Sequence, residues 1–341
     1  MINGDWYDLF RISTAFGPLR AMNAAHTLGS FKVSRWSGSP VTPGMPIAIT
    51  VEPTTSCNLR CPECPSGLRS FSRPTGMLDP LLLENLLKQV HRKVPYLTLY
   101  FQGEPFLHPE FLDLVRIAKR YGMYTATSTN AHYLNEETAR SVIDSGLDRL
   151  IISIDGVSQS TYEQYRVGGS LEKVLLGARN LVAARKSASR KPYLVFQFLV
   201  VRPNEHQVDE VRELAHSIGV DRVVFKTAQL YDHADGHPLM PVDPRYSRYQ
   251  QGADGKWRIK NTLDNHCWRM WHSCVMTWDG KIVPCCFDKD ASHVMGDLNT
   301  HSFREIWFGE AYKSFRQQLL LGRDSIDICR NCSEGTKVFA S

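Results

Sequence analysis

Three cysteines stand close together directly after a short apolar run, at Cys57, Cys61 and Cys64. Thiolates at this spacing can bind one metal centre. The next cysteine along the chain is Cys267 and the nearest histidine is His91, so a closed four-ligand zinc site cannot be completed locally. The spacing therefore predicts a metal centre that keeps one coordination position open.

Other interpretations of the three cysteines are available. They would also fit a structural zinc knuckle completed by a distant ligand, a redox pair with a bystander, or a buried cluster of small apolar side chains. The residues that follow the neighbouring strands bear on this choice, because in parallel α/β folds the functional site lies at the carboxyl ends of the strands.

Short apolar runs alternate with helical patterns from Pro46 onward, which predicts βαβ units and a parallel sheet. We expect strands near 47–52, 96–101, 123–128, 148–154, 193–201 and 221–226. Cap and stop residues delimit the helices between them, namely Asp79-Pro80, Pro109, Gly122, Asn135, Gly146, Ser170, Asn204 and Gly219. Six strands with five intervening helices are too few for a closed eight-unit barrel.

The segment from Glu52 to Cys64 resembles the radical S-adenosylmethionine (radical SAM) enzymes residue for residue, and its C-x3-C-x2-C spacing is their signature. The resemblance implies a 4Fe-4S cluster bound by Cys57, Cys61 and Cys64, with SAM chelating the fourth iron. It implies that an electron passes to SAM and that a 5'-deoxyadenosyl radical then abstracts hydrogen from the substrate. The fold implied is α/β, a partial (β/α)6 TIM-type barrel with a smaller C-terminal α+β iron-sulfur domain.

Two further segments resemble the SAM site of this family. Gly103, Glu104 and Pro105 follow the second strand and are similar to the GGEP motif, with Gln102 in place of its first glycine. Glycine lets the backbone approach the ligand, and Glu104 or the adjacent carbonyls can accept hydrogen bonds from the SAM ammonium.

The fourth strand ends in a segment similar to the SxDG motif of the family, which implies that Ser153 lies near the SAM ribose. Asp155 either shares the ligand site or caps the following segment. The weaker candidates for contacts to SAM or substrate are Ser128, Asn130, Arg166 and Gln197. Arg166 would face the SAM carboxylate, although an exposed loop arginine is an equal alternative.

Six of the nine cysteines lie in the last quarter of the chain, at Cys267, Cys274, Cys285, Cys286, Cys329 and Cys332. Residues 275–286 predict a β-hairpin with Asp279-Gly280 at its turn. Residues 303–321 predict a helix. Its expected core side chains are Ile306, Trp307, Tyr312, Phe315 and Leu319.

This stretch resembles the SPASM/Twitch extension found behind many radical SAM barrels. Full SPASM domains carry seven cysteines for two auxiliary clusters, whereas nine cysteine-free residues follow Cys332. The resemblance therefore implies one auxiliary 4Fe-4S cluster, held by Cys267, Cys285, Cys329 and Cys332. A zinc ribbon is the alternative, because it uses the same type of ligand. Cys286 or Asp288 is a candidate acid/base residue, because some SPASM relatives place in this region an acidic residue that deprotonates the substrate.

Composition places the chain among cytoplasmic enzymes without a transmembrane segment or signal peptide. A formal charge of +5 is too small to demand a nucleic acid partner, and the basic run at 185–192 predicts a solvated loop. An acidic flavodoxin or ferredoxin is the expected reductant. We expect an N-terminal helical extension and linker over 1–44, with one or two short helices, the barrel over 45–230 and the auxiliary cluster domain over 231–341.

The substrate expected from the sequence is a small polar molecule such as a sugar, cyclitol or nucleoside, with the auxiliary cluster accepting an electron. A peptide-modifying enzyme is the alternative. It is placed second because such relatives often carry a leader-binding domain before the barrel, whereas only about 45 residues precede the first strand here. A non-catalytic iron-sulfur electron carrier is a third possibility, but it would not need a SAM site.

Overall fold

The computed structural model describes residues 4–188, 191–260 and 262–332, so part of the basic run and the tail after Cys332 lie outside the described residues. The strands are β1 Ala48–Val51, β2 Tyr96–Thr98, β3 Tyr124–Thr129, β4 Arg149–Ser153, β5 Tyr193–Val200, β6 Arg222–Thr227, β7 Tyr249–Gln251, β8 Trp257–Ile259, β9 Ser273–Met276, β10 Lys281–Val283 and β11 Gly296–Asp297. The helices are α1 Gly4–Thr14, α2 Pro18–Ser37, α3 Pro65–Leu68, α4 Pro80–Val90, α5 Phe111–Arg120, α6 Glu136–Asp144, α7 Gln159–Tyr165, α8 Leu171–Ala184, α9 Val208–Ile218, α10 Arg269–His272, α11 Phe303–Phe308, α12 Glu310–Gly322 and α13 Asp327–Arg330.

The main sheet has nine strands in the order β11-β10-β9-β1-β2-β3-β4-β5-β6. Strands β1 to β6 pair in parallel with their sequence neighbours, which confirms the six predicted strands and the α/β class. The chain has two helices, α7 and α8, between β4 and β5. It also has two helices, α3 and α4, between β1 and β2. The expectation of five intervening helices was therefore wrong by two, because α3 has only four residues and α7 only seven, too few to show an extended apolar period.

Helix caps follow the predicted chemistry at three of the four positions where an N-cap was expected. Asp79 accepts from the Leu81 amide (2.8 Å) and Asn135 from the Thr138 amide (2.8 Å). Ser170 caps α8 in the same way. Asn204 does not cap α9, which begins at Val208, because its side chain instead accepts from the Val201 amide and donates to the Asp155 carbonyl. The caps position the helices against one apolar core shared with the sheet.

The N-terminal region is more helical than the sequence predicts. Helix α2 runs for 20 residues and ends at Gly38, which has a φ of +68°, although a linker was expected from residue 34. Both α1 and α2 lie against the amino-terminal ends of the barrel strands. Within the described residues, no helix is long and apolar enough to cross a bilayer.

The C-terminal hairpin is present as predicted, with β9 and β10 antiparallel around the turn at Asp279-Gly280. Strand β9 also pairs in parallel with β1, so the hairpin extends the barrel sheet. The predicted helix over 303–321 consists of two helices that are separated at Gly309. Its expected core side chains are buried. The second cysteine group is thereby attached to the same sheet as the first.

Candidate functional site

The three-cysteine loop follows β1 at the carboxyl edge of the parallel strands. Cys61 is buried, and Cys57 and Cys64 are half-buried. Burial raises the pKa of Cys57 to about 11, with smaller contributions from Glu104 and the other two thiols. The thiolate form of Cys57 is therefore energetically unfavourable without a bound metal, and a positively charged metal centre would stabilise it.

A short helix that sequence reasoning missed, α3, closes the cysteine loop. A Cβ atom at Gly67 would lie 2.6 Å from the backbone nitrogen and oxygen of Cys61, so only glycine fits there. Ser66 of the same helix accepts a hydrogen bond from the Gly103 amide (2.8 Å). The Cys-Pro-Ser-Gly sequence was the available signal, because proline opens helices and glycine permits close backbone approach.

The loop after β2 supports the cysteine loop through its backbone. Gly103 has a φ of +74°, and a Cβ atom there would lie 2.3 Å from the Thr54 carbonyl oxygen and 2.8 Å from that of Ser56. The Glu104 amide donates to the Ser56 carbonyl (2.7 Å). Pro105 is buried and opens the turn that follows. The Gly-Glu-Pro segment thus fixes the shape of the loop that carries the cysteines.

Glu104 is directed inward and is only 2% exposed. Its carboxylate accepts from the Thr129 hydroxyl (2.6 Å) and the Asn130 amide (2.7 Å), and burial raises its pKa to about 6. The Asn130 side chain donates in turn to the Asn58 amide oxygen in the cysteine loop (2.7 Å). Glu104 and Asn130 therefore join three loops, and the backbone carbonyls near Glu104 are left as the candidate acceptors for the SAM ammonium.

Arg166 lies between a carboxylate and a cysteine of the loop. Its Nε donates to Asp155 (2.5 Å) and its Nη1 to the Cys61 sulfur (3.9 Å). Burial disfavours the charged guanidinium, but Asp155 and Cys61 outweigh this effect and hold the pKa of Arg166 well above its usual value. The Leu199 amide donates to the other oxygen of Asp155 (2.7 Å). A fixed positive charge thus stands beside a thiol that the sequence assigns to the cluster.

The remaining SAM-site candidates lie on the central strands. Ser153 is buried at the end of β4, in register with Gln197 on β5. Ser128 is half-buried on β3, opposite Ile151. Gln197 lines a cavity of about 260 Å³ that also contacts Tyr100 and Lys226. Ser153 and Gln197 are therefore direct cross-strand neighbours. Ser128, on the strand at the other side of β4, lies opposite Ile151, two residues before Ser153.

Three of the four predicted auxiliary ligands, Cys267, Cys285 and Cys329, share one buried apolar cluster. Cys332 is also buried, and the Arg323 guanidinium donates to its sulfur (3.4 Å). Burial lowers the pKa of Arg323, but the thiols of Cys267, Cys332 and Cys329 outweigh it, so the pKa is raised. Three of the four thiols thus interact with one guanidinium, and Cys285 lies near two of them, Cys267 and Cys332. Sequence reasoning missed Arg323 because no motif contains it.

Cys274 lies apart from this group. It is buried on β9 in the barrel core beside Tyr312, and burial raises its pKa to about 12. Cys274 therefore lies in a different cluster from the predicted auxiliary ligands Cys267, Cys285 and Cys329.

Cys286 and Asp288, the two candidate acid/base residues, occupy different environments. Asp288 is 1% exposed, and its carboxylate accepts from the backbone amides of Ser292 (2.8 Å) and His293 (2.9 Å). Cys286 is half-buried. Burial, Tyr96 and then the Cys286 thiol raise the pKa of Tyr100, a residue of the barrel cavity, to about 12. Cys286 therefore lies near the cavity, while Asp288 holds a turn.

Both cysteine groups suit iron-sulfur clusters by their chemistry, since each offers only thiolates together with a cation. Within the described ranges, no group of three or more His, Cys, Asp or Glu side chains is arranged to hold a metal ion. A four-iron cluster distributes its thiolates over four irons. The agreement of the two cysteine groups with iron-sulfur clusters therefore rests on the type of donor atom, the burial of the cysteines and the arginines beside them.

Two family profiles match the chain. The profile of the Radical SAM superfamily matches residues 51–218, which include the three-cysteine loop and β2 to β5. The profile of the iron-sulfur cluster-binding domain called SPASM matches residues 267–333, which include the second cysteine group.

Two curated relatives illustrate the similarity. A PqqA peptide cyclase from Gluconobacter oxydans is 30% identical over 313 residues, which cover 85% of this chain and 83% of the relative. An AdoMet-dependent heme synthase from Methanosarcina barkeri is 24% identical over 331 residues, covering 84% of this chain and 91% of that protein.

Two solved structures share the fold. Streptococcus suis SuiB bound to the precursor peptide SuiA has a TM-score of 0.62 at 14% identity, covering 92% of this chain and 75% of SuiB. BtrN in complex with AdoMet and 2-DOIA has a TM-score of 0.53 at 18% identity, covering 85% of this chain and 94% of BtrN.

Proposed function

Because the chain belongs to the radical SAM superfamily and has a C-terminal SPASM domain, we propose that it abstracts a hydrogen atom from an amino-acid residue of a peptide substrate. When bound, SAM and the 4Fe-4S cluster supply the radical that removes the hydrogen. The observation that carries the proposal is the similarity to a PqqA peptide cyclase along 85% of the chain. This similarity favours the peptide alternative over the small polar substrate expected from the sequence.

The roles of the site residues follow from their positions. Cys57, Cys61 and Cys64 would hold the SAM-binding cluster, with the positive charge of Arg166 beside Cys61 stabilising its thiolate. The backbone carbonyls near Glu104 would accept hydrogen bonds from the SAM ammonium. Ser153 would contact the ribose. These groups would bind, orient or charge the site from loops at the carboxyl edge of the sheet or, for Ser153, from the end of β4.

The edge of the sheet supports entry of a peptide. Strand β6 is the last strand of the described main sheet, and its outer backbone groups have no neighbouring strand there. An extended peptide can pair with such an edge through main-chain hydrogen bonds. Val224 and Lys226 of β6 also line the barrel cavity. A peptide on β6 would therefore lie beside the interior of the barrel.

The barrel cavity extends from the amino-terminal ends of the strands, where Tyr96, Arg149 and Tyr193 line it, and its size would admit a single side chain. Its volume of about 260 Å³ is below the range of about 300 to 1,000 Å³ that is usual for pockets enclosing a small molecule. Tyr100, Arg149 and Gln197 give it a polar lining. Because of this polar lining, a small polar molecule is the second candidate for the substrate. The structure of BtrN, which shares the fold, contains 2-DOIA.

The auxiliary cluster is proposed to sit among Cys267, Cys285, Cys329 and Cys332, next to Arg323, and to accept or pass on one electron. Cys286 is the better placed of the two acid/base candidates, because Asp288 is buried and already accepts backbone hydrogen bonds. A flavodoxin or ferredoxin is proposed as the reductant of the SAM-binding cluster. A non-catalytic electron carrier is not supported, since the superfamily indicates an enzyme.

An anaerobic assay of 5'-deoxyadenosine formation tests the substrate class. An extract of the source cells is divided by ultrafiltration at about 1 kDa, and each fraction is added to reconstituted enzyme with SAM and dithionite. We expect the retained fraction to stimulate the reaction and proteinase K treatment of that fraction to abolish the stimulation. Stimulation by the filtrate that resists the protease would instead establish the small polar substrate.

A further inference from the structure

Helix α1 has its polar side chains on the inside and its apolar side chains on the outside. Asp8 is buried, where it accepts from Tyr124 and pairs with Arg149. On the opposite side, Trp6 is 68% exposed and Phe10 is 64% exposed. A helix that only covers a domain normally shows the reverse arrangement.

Helix α2 repeats this inversion over 20 residues. Its buried side chains are nearly all polar, and Asn23 and Thr27 both donate to the Met45 carbonyl (3.0 Å each). Its outer side carries Met22 at 52% exposure and Trp36 at 89%. We call the exposed apolar side chains of both helices the amino-terminal apolar face, and they are Trp6, Leu9, Phe10, Leu19, Met22, Leu28, Val33 and Trp36.

This face lies at the end of the molecule opposite the cysteine loop. The inner residues of α1 and of the first half of α2 contact groups at the amino-terminal ends of the barrel strands, whereas Phe31 of α2 packs against Trp268 and Trp271 beside the second cysteine group. Tyr124 begins β3 and Arg149 begins β4, and Arg20 donates to the carbonyls of His91 (2.8 Å) and Gly122 (2.6 Å). A surface that contacts the amino-terminal apolar face would therefore leave the carboxyl edge of the sheet free.

The charge around the face is mainly positive, since the two carboxylates of α1, Asp5 and Asp8, are paired with Arg222 and Arg149. No Asp or Glu occurs between residues 9 and 51, whereas four Lys or Arg residues do. Lys32 and Arg35 are exposed on α2. A surface pocket of about 280 Å³ also places Arg92 and Lys93 beside Leu19 and Met22. Exposed aromatic and aliphatic side chains with flanking cations are the composition of helices that lie in the headgroup region of membranes.

We infer that the amino-terminal apolar face binds the surface of a membrane that contains anionic lipids. The apolar side chains would enter the headgroup and acyl boundary, and the flanking cations would attract the lipid phosphates. A second copy of the chain fits less well, because apposing two such faces would bring like charges together. This inference is independent of the substrate, since the face and the cysteine loop lie at opposite ends of the strands.

Co-sedimentation of the cluster-loaded, full-length protein with vesicles tests the inference. The vesicles are phosphatidylcholine alone or phosphatidylcholine with about 30% phosphatidylglycerol. We expect clear binding only to the anionic vesicles. The variant Trp6→Gln/Phe10→Gln/Trp36→Gln should lose at least about tenfold in affinity. Lys32→Gln/Arg92→Gln should lose roughly 25-fold at about 0.1 M salt, given roughly fivefold per cation.

A matched variant controls for the loss of exposed apolar side chains in general. Leu81, Leu176 and Val242 are 72%, 54% and 71% exposed and lie outside the amino-terminal apolar face. Their triple replacement by Gln should leave vesicle binding unchanged, and SAM cleavage should be unchanged in all three variants. Equal binding to both vesicle types, or equal loss in the control, would overturn the inference. A protein dimer that the Trp6/Phe10/Trp36 variant converts to monomer, without vesicle binding, would overturn it in favour of a second copy.

Discussion

Arg166 links two motifs that are separated by about one hundred residues, because it bonds both to Asp155 and to the sulfur of Cys61. In the proposed site, the Arg166 guanidinium would act by stabilising the thiolate of Cys61. A role towards the SAM carboxylate, which the sequence suggested, remains a proposal. The same pattern recurs at Arg323 and Cys332. Each group of thiols therefore has an arginine that stabilises thiolate charge at a buried position.

Gly103 provides a test of the backbone at the site. Gly103→Ala is expected to destabilise the protein by about 3 kcal/mol or more, because the left-handed φ costs about 1 to 2 kcal/mol and the new Cβ would meet the Thr54 carbonyl at 2.3 Å. Gly168→Ala is the matched control, since its φ is +82° but no atom lies within 4 Å of the added Cβ. Chemical denaturation of both variants, with SAM cleavage assays, measures the difference. Equal destabilisation would show that the close approach is unimportant.

The three loop cysteines provide a test by metal content. Anaerobically reconstituted protein should contain roughly eight irons per chain and should cleave SAM reductively. The variant Cys57→Ala/Cys61→Ala/Cys64→Ala should retain roughly four irons and lose SAM cleavage entirely. Cys274→Ala is the control, because this thiol is buried in the barrel core away from both groups. Undiminished cleavage in the triple variant would contradict the assignment, and stoichiometric zinc in place of half the iron would identify a zinc ribbon.

At the scale of elements, the regular βαβ part was predictable because strand and cap signals are local. All six barrel strands and the caps Asp79, Asn135 and Ser170 follow from short patterns. Asn204 was not predictable, since its partners lie on the backbone of β5 and at Asp155. The polar inner side of α2 was also hidden, because its acceptors, such as the Met45 carbonyl, are exposed only when the chain is folded.

Variants of the second cysteine group test the role of the C-terminal cluster domain in the reaction. Cys329→Ala/Cys332→Ala should leave SAM cleavage intact but stop product formation, because the auxiliary cluster is expected to receive an electron after hydrogen abstraction. A substrate deuterated at the reacting carbon should still transfer deuterium to 5'-deoxyadenosine. Circular dichroism must show that the variant is folded, since cluster binding can contribute folding energy. A folded variant that forms product at the normal rate would limit the domain to shaping the substrate pocket.

At the scale of the whole molecule, the pairing of β9 with β1 connects the two cysteine groups through one sheet. Ala48 to Val51 of β1 are paired with β2 on one edge and with β9 on the other. The division at residue 230, which the sequence suggests from the end of the βα alternation, therefore separates strands that are neighbours in the sheet. This arrangement bears directly on whether the barrel is stable alone.

Truncation after residue 230 should leave a chain that aggregates or is incompletely folded. Loss of β9 would leave the backbone of β1 as an unpaired edge in a strand whose Ile49 and Val51 side chains are fully buried, and exposed apolar edges promote association. Size-exclusion chromatography and thermal melting by circular dichroism measure the outcome. The matched control is the full chain with Cys329→Ala/Cys332→Ala, which lacks the auxiliary cluster but keeps β9. If the control is a folded monomer and the truncated chain is not, the shared sheet rather than the cluster stabilises the barrel; a cooperative, monomeric truncated chain would instead establish residues 45–230 as an independent domain.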